Sequence, residues 1–235
     1  MKILITAASK GGVGKSLISI NIAYALKKLG YKAGLLDSDI SMPAVVKYLK
    51  LENEELQTHQ LVEPVEHNGV QILSAGLMMD KDQPVLIDSD KREALVGQFI
   101  DKTAWNVDFL VIDTPPGATD ELAYVTKQRK NDLKGIFVVS TPSSIAVSQV
   151  RRSIELFRRM HSPMLGIIGN MTGFECEKCH YMNDMFKNGA ENPLEELAKN
   201  FKLKLLASIP MYAGVDDDPL HFVDYLIAGL HSVGF

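Results

Sequence analysis

Six short runs along the chain are apolar almost without interruption: residues 2–7, 32–36, 108–112, 135–140, 165–169 and 203–209. A strand with one face in water alternates apolar and polar side chains, but a strand covered on both faces has no need to. These runs therefore predict strands of a buried parallel sheet. Between them, apolar residues recur every three or four positions at 15–29, 92–103, 119–127, 143–160 and 193–201, which is the period of a helix. The alternation predicts an α/β fold: a doubly wound, mostly parallel sheet with right-handed crossovers and helices on both faces. A hairpin is expected where 62–65 and 70–74 flank His67-Asn68-Gly69, because Asn-Gly favours a type I′ turn.

Length and composition narrow the picture. The 235 residues are 46% hydrophobic and 23% charged, enough for a single large core, so one domain is expected over residues 1–235. The net charge of -4 gives no general attraction to nucleic acid or anionic lipid. A local basic patch would be needed. Arg151, Arg152, Arg158 and Arg159 cluster on one helix, yet Glu155 lies four residues from both Arg151 and Arg159, so that face can pair with itself and a DNA-binding role is disfavoured. A membrane-targeting ATPase would end in a basic amphipathic helix, whereas no Lys or Arg follows Lys204; the apolar tail 220–235 is expected to pack on the core. No apolar run approaches the roughly 18 residues of a membrane span. The apolar N-terminus is too short for a secretion signal and reads as a strand, so a cytoplasmic protein is expected.

The first predicted strand runs into Lys10-Gly11-Gly12-Val13-Gly14-Lys15-Ser16, which opens the first predicted helix. Strand, glycine loop and helix in that order make a P-loop. The glycines let backbone N–H groups curl round phosphate oxygens, the helix N-terminus adds positive potential, Lys15 reaches the β- and γ-phosphates, and Ser16 ligates magnesium. Asp113 ends the strand Phe109-Leu110-Val111-Ile112, where a carboxylate can hold magnesium through water, and Gly117 can offer its N–H to a γ-phosphate. Asp37 and Asp39 end the second strand and, two residues apart, are placed to share a side; one of them is a candidate to orient the attacking water, with turn or capping chemistry as the alternative. Asn170 ends a further strand at a position suited to contacting the base, or to capping a turn. Its continuation as Met171-Thr172-Gly173 lacks the carboxylate that would pair with guanine, which favours ATP over GTP.

These residues resemble a known family. Lys10 at the front of the loop is similar to the deviant Walker A lysine of the MinD/ParA group. The segments Leu36-Asp37-Ser38-Asp39-Ile40-Ser41-Met42-Pro43, Asp113-Thr114-Pro115-Pro116-Gly117, Ser140-Thr141-Pro142, Val150-Arg151-Arg152 and Asn170-Met171-Thr172-Gly173-Phe174, followed by Cys176-Glu177-Lys178-Cys179, resemble its Mrp/ApbC branch of iron-sulfur cluster carriers and scaffolds. The resemblance covers nearly the whole chain. It implies slow ATP hydrolysis, Lys10 reaching the partner subunit's phosphates in a homodimer, and apo iron-sulfur proteins as recipients. The chain departs from the family pattern where Glu177 and Lys178 stand in place of a proline-containing pair, where His180 stands for glycine, and at Asp88-Ser89-Asp90. The sequence also shows neither the N-terminal accessory domain of many bacterial members nor the N-terminal cysteine cluster of eukaryotic scaffolds, so a second stable cluster site is not expected.

Cys176 and Cys179 are the only cysteines, in a loop at about 171–187. In a reducing compartment their spacing argues for metal or redox chemistry over a structural disulfide. Two thiolates cannot complete the four-ligand shell of a [4Fe-4S] cluster, but one pair from each subunit on a two-fold axis can. Redox exchange and incidental surface cysteines are the competing readings, and His180 is either a further ligand or a solvated loop histidine.

Overall fold

A computed structural model describes all residues except 41, 58–59, 79–88, 118–119, 177, 180, 185 and 187–191. The sheet is built from β1 (Lys2–Ala7), β2 (Ala33–Asp37), β3 (Val65–His67), β4 (Val70–Ser74), β5 (Phe109–Asp113), β6 (Leu133–Ser140), β7 (Met164–Glu175), β8 (Met182–Asn183) and β9 (Leu205–Met211). Its order is β3-β4-β2-β5-β1-β6-β7-β8, with β9 also pairing β7; β3 and β8 are antiparallel and the other pairings parallel. The predicted doubly wound sheet is what forms.

Continuous apolar character follows from two covered faces. Along β1, Leu4 packs into one core while Ile3, Ile5 and Ala7 pack into the other; along β5, Val111 joins the first and Leu110 and Ile112 the second. The first core lies under α1 (Lys15–Lys28), the short α2 (Val45–Tyr48) and α7 (Val223–His231). The second lies under α3 (Ser89–Asp101), α4 (Asp120–Gln128), α5 (Ser144–Arg159) and α6 (Pro193–Phe201). α1 is buried nearly all round because α7 and α2 cover the side away from the sheet. Phe222, Leu226, Leu230 and Phe235 are all in that core, so the apolar tail packs on the body of the protein as expected.

Differences from the sequence reading are local. The hairpin forms with Asn68 at φ 46° and Gly69 at φ 73°, but its first strand is Val65–His67, since Val62 instead bridges Thr103. Strand β7 runs six residues beyond its expected end, so Asn170-Met171-Thr172-Gly173 lies inside a strand. Two of the four clustered arginines turn to α6 as well: Arg151 and Arg158 sit over the Phe201 ring, and Arg158 donates to the Phe201 carbonyl at 2.6 Å, a favourable place for a cation at a helix C-terminus. Among the described residues no helix is long and apolar enough to cross a membrane.

Candidate nucleotide site and cysteine hairpin

The parallel strands end on one side of the sheet, and there the turn after β1 becomes the P-loop. Gly12 at φ 79° and Gly14 at φ 80° take left-handed backbone that a side chain would strain, and Gly14 caps α1 directly. The loop from Lys10 to Ser16 lines an open cleft of about 250 Å³, closed on its other sides by Leu17, Asp39, Ala44, Tyr48, Pro116 and Met171. Lys10 is exposed at its mouth, and Ser16 is half-buried in its wall.

Beneath the cleft, Lys15 bonds Asp113 Oδ1 through its ammonium group, and Ser19 Oγ donates to the same oxygen at 2.7 Å. Lys15 is 7% exposed and Asp113 not at all, so each charge depends on the other for compensation. Asp113 Oδ2 has no hydrogen-bond partner among the described residues. An orphaned buried carboxylate oxygen at the end of this strand suits a water-mediated magnesium ligand. The backbone of β2 is tied to the same point, since Ser38 donates to the Asp113 carbonyl from its N–H at 2.9 Å and from Oγ at 2.8 Å.

The two aspartates after β2 do not share a side. Asp37 is fully buried: its Oδ2 accepts from Ser74 Oγ at 3.0 Å and Val45 N–H at 3.2 Å, and its Oδ1 accepts from Asp39 N–H at 3.1 Å. These bonds anchor the loop that follows β2. Strand alternation stops at Asp37, so the two-residue spacing no longer implies a common face. Asp39 alone reaches the cleft, with Oδ1 accepting from Met42 N–H at 3.1 Å. Burial, and then the negative charge of Asp113, push the Asp37 carboxyl up to about 7, against the opposing effects of the Val45 and Asp39 N–H groups and Lys15.

Asp37 holds a proton in the folded protein at pH values where the unfolded chain, with its value near 3.8, has lost it. The folded state then binds more protons, so this group's contribution to stability falls as pH rises from about 4 to about 7 and is flat above. Melting temperatures of nucleotide-free protein and of Asp37→Asn should converge or cross toward pH 8, with the wild type's relative advantage greatest at about pH 4 and shrinking as pH rises toward about 7. A difference independent of pH would contradict the assignment.

Two other expected ligand contacts are already engaged. Asn170 is 2% exposed, and its Nδ2 donates to the Val13 carbonyl at 2.9 Å. A Cβ at Gly14 would collide with that same nitrogen. Asn170 therefore props the P-loop from below in this conformation. The Gly117 N–H donates to the Ala8 carbonyl at 3.0 Å, so it is not directed at the cleft in this conformation. Tyr48 was not singled out by the sequence, yet it lines the cleft, and burial with the nearby negative charges of Asp216 and Asp113 raises its hydroxyl, keeping it a donor. Ser19, Ser38 and Ser74 were missed too; only the first, one helical turn beyond Lys15, carried a positional hint.

The cysteines sit at the same end of the sheet. β7 and β8 form an antiparallel hairpin in which Phe174 pairs with Asn183 and Glu175 with Met182; the Cys176 N–H then donates to the Tyr181 carbonyl at 3.0 Å. Both cysteines carry thiols, Cys179 exposed and Cys176 half-buried. Glu177 and His180 lie outside the described residues. Phe174, Tyr181 and Met182 are 40%, 68% and 47% exposed, so the thiols stand amid accessible apolar surface.

A family model described as NUBPL iron-transfer P-loop NTPase, of the ParA type, matches residues 1–219. The chain belongs to this family. It is 37% identical over 213 residues to an iron-sulfur cluster carrier protein of Aquifex aeolicus, an alignment covering 89% of the chain and 57% of that longer protein. It is also 36% identical over 217 residues to the cytosolic Fe-S cluster assembly factor NUBP2 homolog of Dictyostelium discoideum, covering 88% of the chain and 80% of the relative. Among solved structures, a nucleotide-binding protein of Archaeoglobus fulgidus in complex with ADP matches with TM-score 0.76 and 27% identity, over 98% of this chain and 88% of that one. MinD of Pyrococcus horikoshii, complexed with Mg-ADP, shares the fold with TM-score 0.71 at 18% identity, over 99% and 96% of the two chains. The MinD/ParA fold and the iron-sulfur carrier family read from the sequence are thus both found.

Proposed function

We propose that this protein is an ATP-binding, slowly hydrolysing carrier that holds a labile iron-sulfur cluster between two copies of the chain and passes it to apo-proteins in the cytosol. One observation carries the reading: a P-loop and a pair of accessible thiols lie at the same end of the sheet, linked by the single strand β7. The family match and the relatives named as cluster carriers and assembly factors support it.

ATP enters the cleft with its phosphates against the N–H groups of Gly11 to Lys15. Lys15 then moves its ammonium group from Asp113 to the β- and γ-phosphates, and Ser16 and Asp113 would hold magnesium, which would neutralise phosphate charge. Lys10, exposed at the mouth, reaches the nucleotide of a second copy. The cargo is a [4Fe-4S] cluster with four thiolates, Cys176 and Cys179 from each copy, left at the surface where a recipient's thiols can displace them.

Asp39 is the general base or water-orienting group, since among the described residues it is the one acidic residue lining the cleft. Asp39→Ala should bind ATP within a few-fold of wild type and lower turnover by about 10²-fold or more. Steady-state phosphate release, set beside nucleotide titration, checks it. A normal rate would remove Asp39 from the mechanism.

A further inference from the structure

Strand β7 carries a two-residue irregularity between the two sites. Asn170 pairs with Ile209 on β9 and Phe174 pairs with Met211, so four steps on β7 match two on β9. Met171 takes φ 54°, left-handed backbone that a residue with a long side chain rarely adopts, and its side chain lines the nucleotide cleft. Thr172 Oγ1 donates to the Ile209 carbonyl at 3.1 Å and pins the extra residues to β9. Gly173 is buried against the hairpin's return strand, where a Cβ would collide with the Asn183 carbonyl. Two residues further on, Glu175 pairs with Met182, and Cys176 follows with its N–H on Tyr181.

We infer that this bulge couples occupancy of the P-loop to the geometry of the cysteine hairpin. The inference rests on the reading of the two sites given above and adds how one regulates the other. An unbroken chain of contacts runs from the Val13 carbonyl through Asn170, the bulge and Gly173 to Cys176. A regular strand would move as one rigid element, but surplus residues held by one side-chain hydrogen bond in a disfavoured backbone conformation have alternative arrangements close by. Phosphate drawing in the P-loop displaces Val13 and hence Asn170, and nucleotide in the cleft contacts Met171 directly. Both act on the element that sets where β7 meets β8. A two-state element biased from both ends satisfies the physical requirement for coupling, and at equilibrium the bias is reciprocal.

The test uses the cluster-free full chain and reads the thiols by their rate of alkylation with N-ethylmaleimide, resolved by residue by mass spectrometry. Nucleotide binding is titrated separately, so a failed P-loop assignment is seen as absent binding, which would overturn the coupling along with it. In wild type, saturating Mg-ATP should change the alkylation rate of at least one cysteine by about fivefold or more relative to nucleotide-free protein. In Thr172→Val, which removes the pinning hydroxyl at nearly constant shape, that dependence should fall below about twofold while ATP still binds; Thr172→Ser, which keeps the hydroxyl, should restore it. Retained nucleotide binding and an unchanged melting profile identify folded variants, and Thr172→Ala, which also removes the hydroxyl, serves as the second variant if Thr172→Val does not fold. Equal alkylation rates with and without bound nucleotide in wild type would overturn the inference. So would an undiminished response in both Thr172→Val and Thr172→Ala, because simple shielding of the thiols by a second copy would not depend on the bulge.

Discussion

Lys15→Ala is expected to weaken ATP binding by about 10²-fold and, less obviously, to destabilise the protein before any nucleotide is added. The first effect is the loss of a charge-assisted contact to phosphate. The second follows from burial: Asp113 is fully inaccessible, and with the ammonium gone its charge keeps, among the described residues, only the Ser19 hydroxyl as a donor on Oδ1. Removing one partner of a buried ion pair typically costs about 3–5 kcal/mol, enough to lower the melting temperature of a chain of this size by several degrees or more. Adding Asp113→Asn removes the stranded charge, so the double variant should regain much of the stability and none of the ATP affinity. Calorimetric melting and nucleotide titration of the two single variants and the double variant give the full cycle. If Lys15→Ala melts like wild type and binds ATP as tightly, neither the ion pair nor the phosphate site has the role assigned to it.

The sheet and the P-loop were legible in the sequence because each is encoded locally. Ile3, Leu4 and Ile5 need no partner's identity to read as a strand covered on both faces, and Gly14-Lys15-Ser16 after such a strand has a backbone requirement that only glycine meets. What the sequence hid depends on residues far apart in the chain. Asp37 looked like a second acid for the site, but Ser74, which turns it into an anchor, lies in the next strand of the sheet and only the β2–β4 pairing brings it there. Asn170 read as a base contact or a turn cap, and its bond to the Val13 carbonyl, 157 residues away, could not be read from the sequence. The extension of β7 through Met171 was invisible because a left-handed methionine has no sequence signature; it is held by Thr172 on Ile209 and by the packing of Gly173. The cysteine spacing was informative about chemistry and silent about neighbours, and the exposed Phe174, Tyr181 and Met182 around it emerged only when the hairpin was formed.

Cys176→Ser and Cys179→Ser should each abolish stable cluster retention, to below about a tenth of wild type, because a hydroxyl is a poor ligand for iron where a thiolate is the preferred one. Neither residue touches the P-loop cleft, so ATP affinity should stay within a few-fold of wild type in both variants. The central claim is that the cluster is shared, and the most direct measurement is native mass spectrometry with iron counting after anaerobic reconstitution with iron and sulfide. The account predicts one [4Fe-4S] cluster on a species of two chains, cluster-free monomers when that species dissociates, and no cluster on either serine variant. A full cluster on each isolated chain, or full retention in the Cys176→Ser, Cys179→Ser double variant, would contradict it.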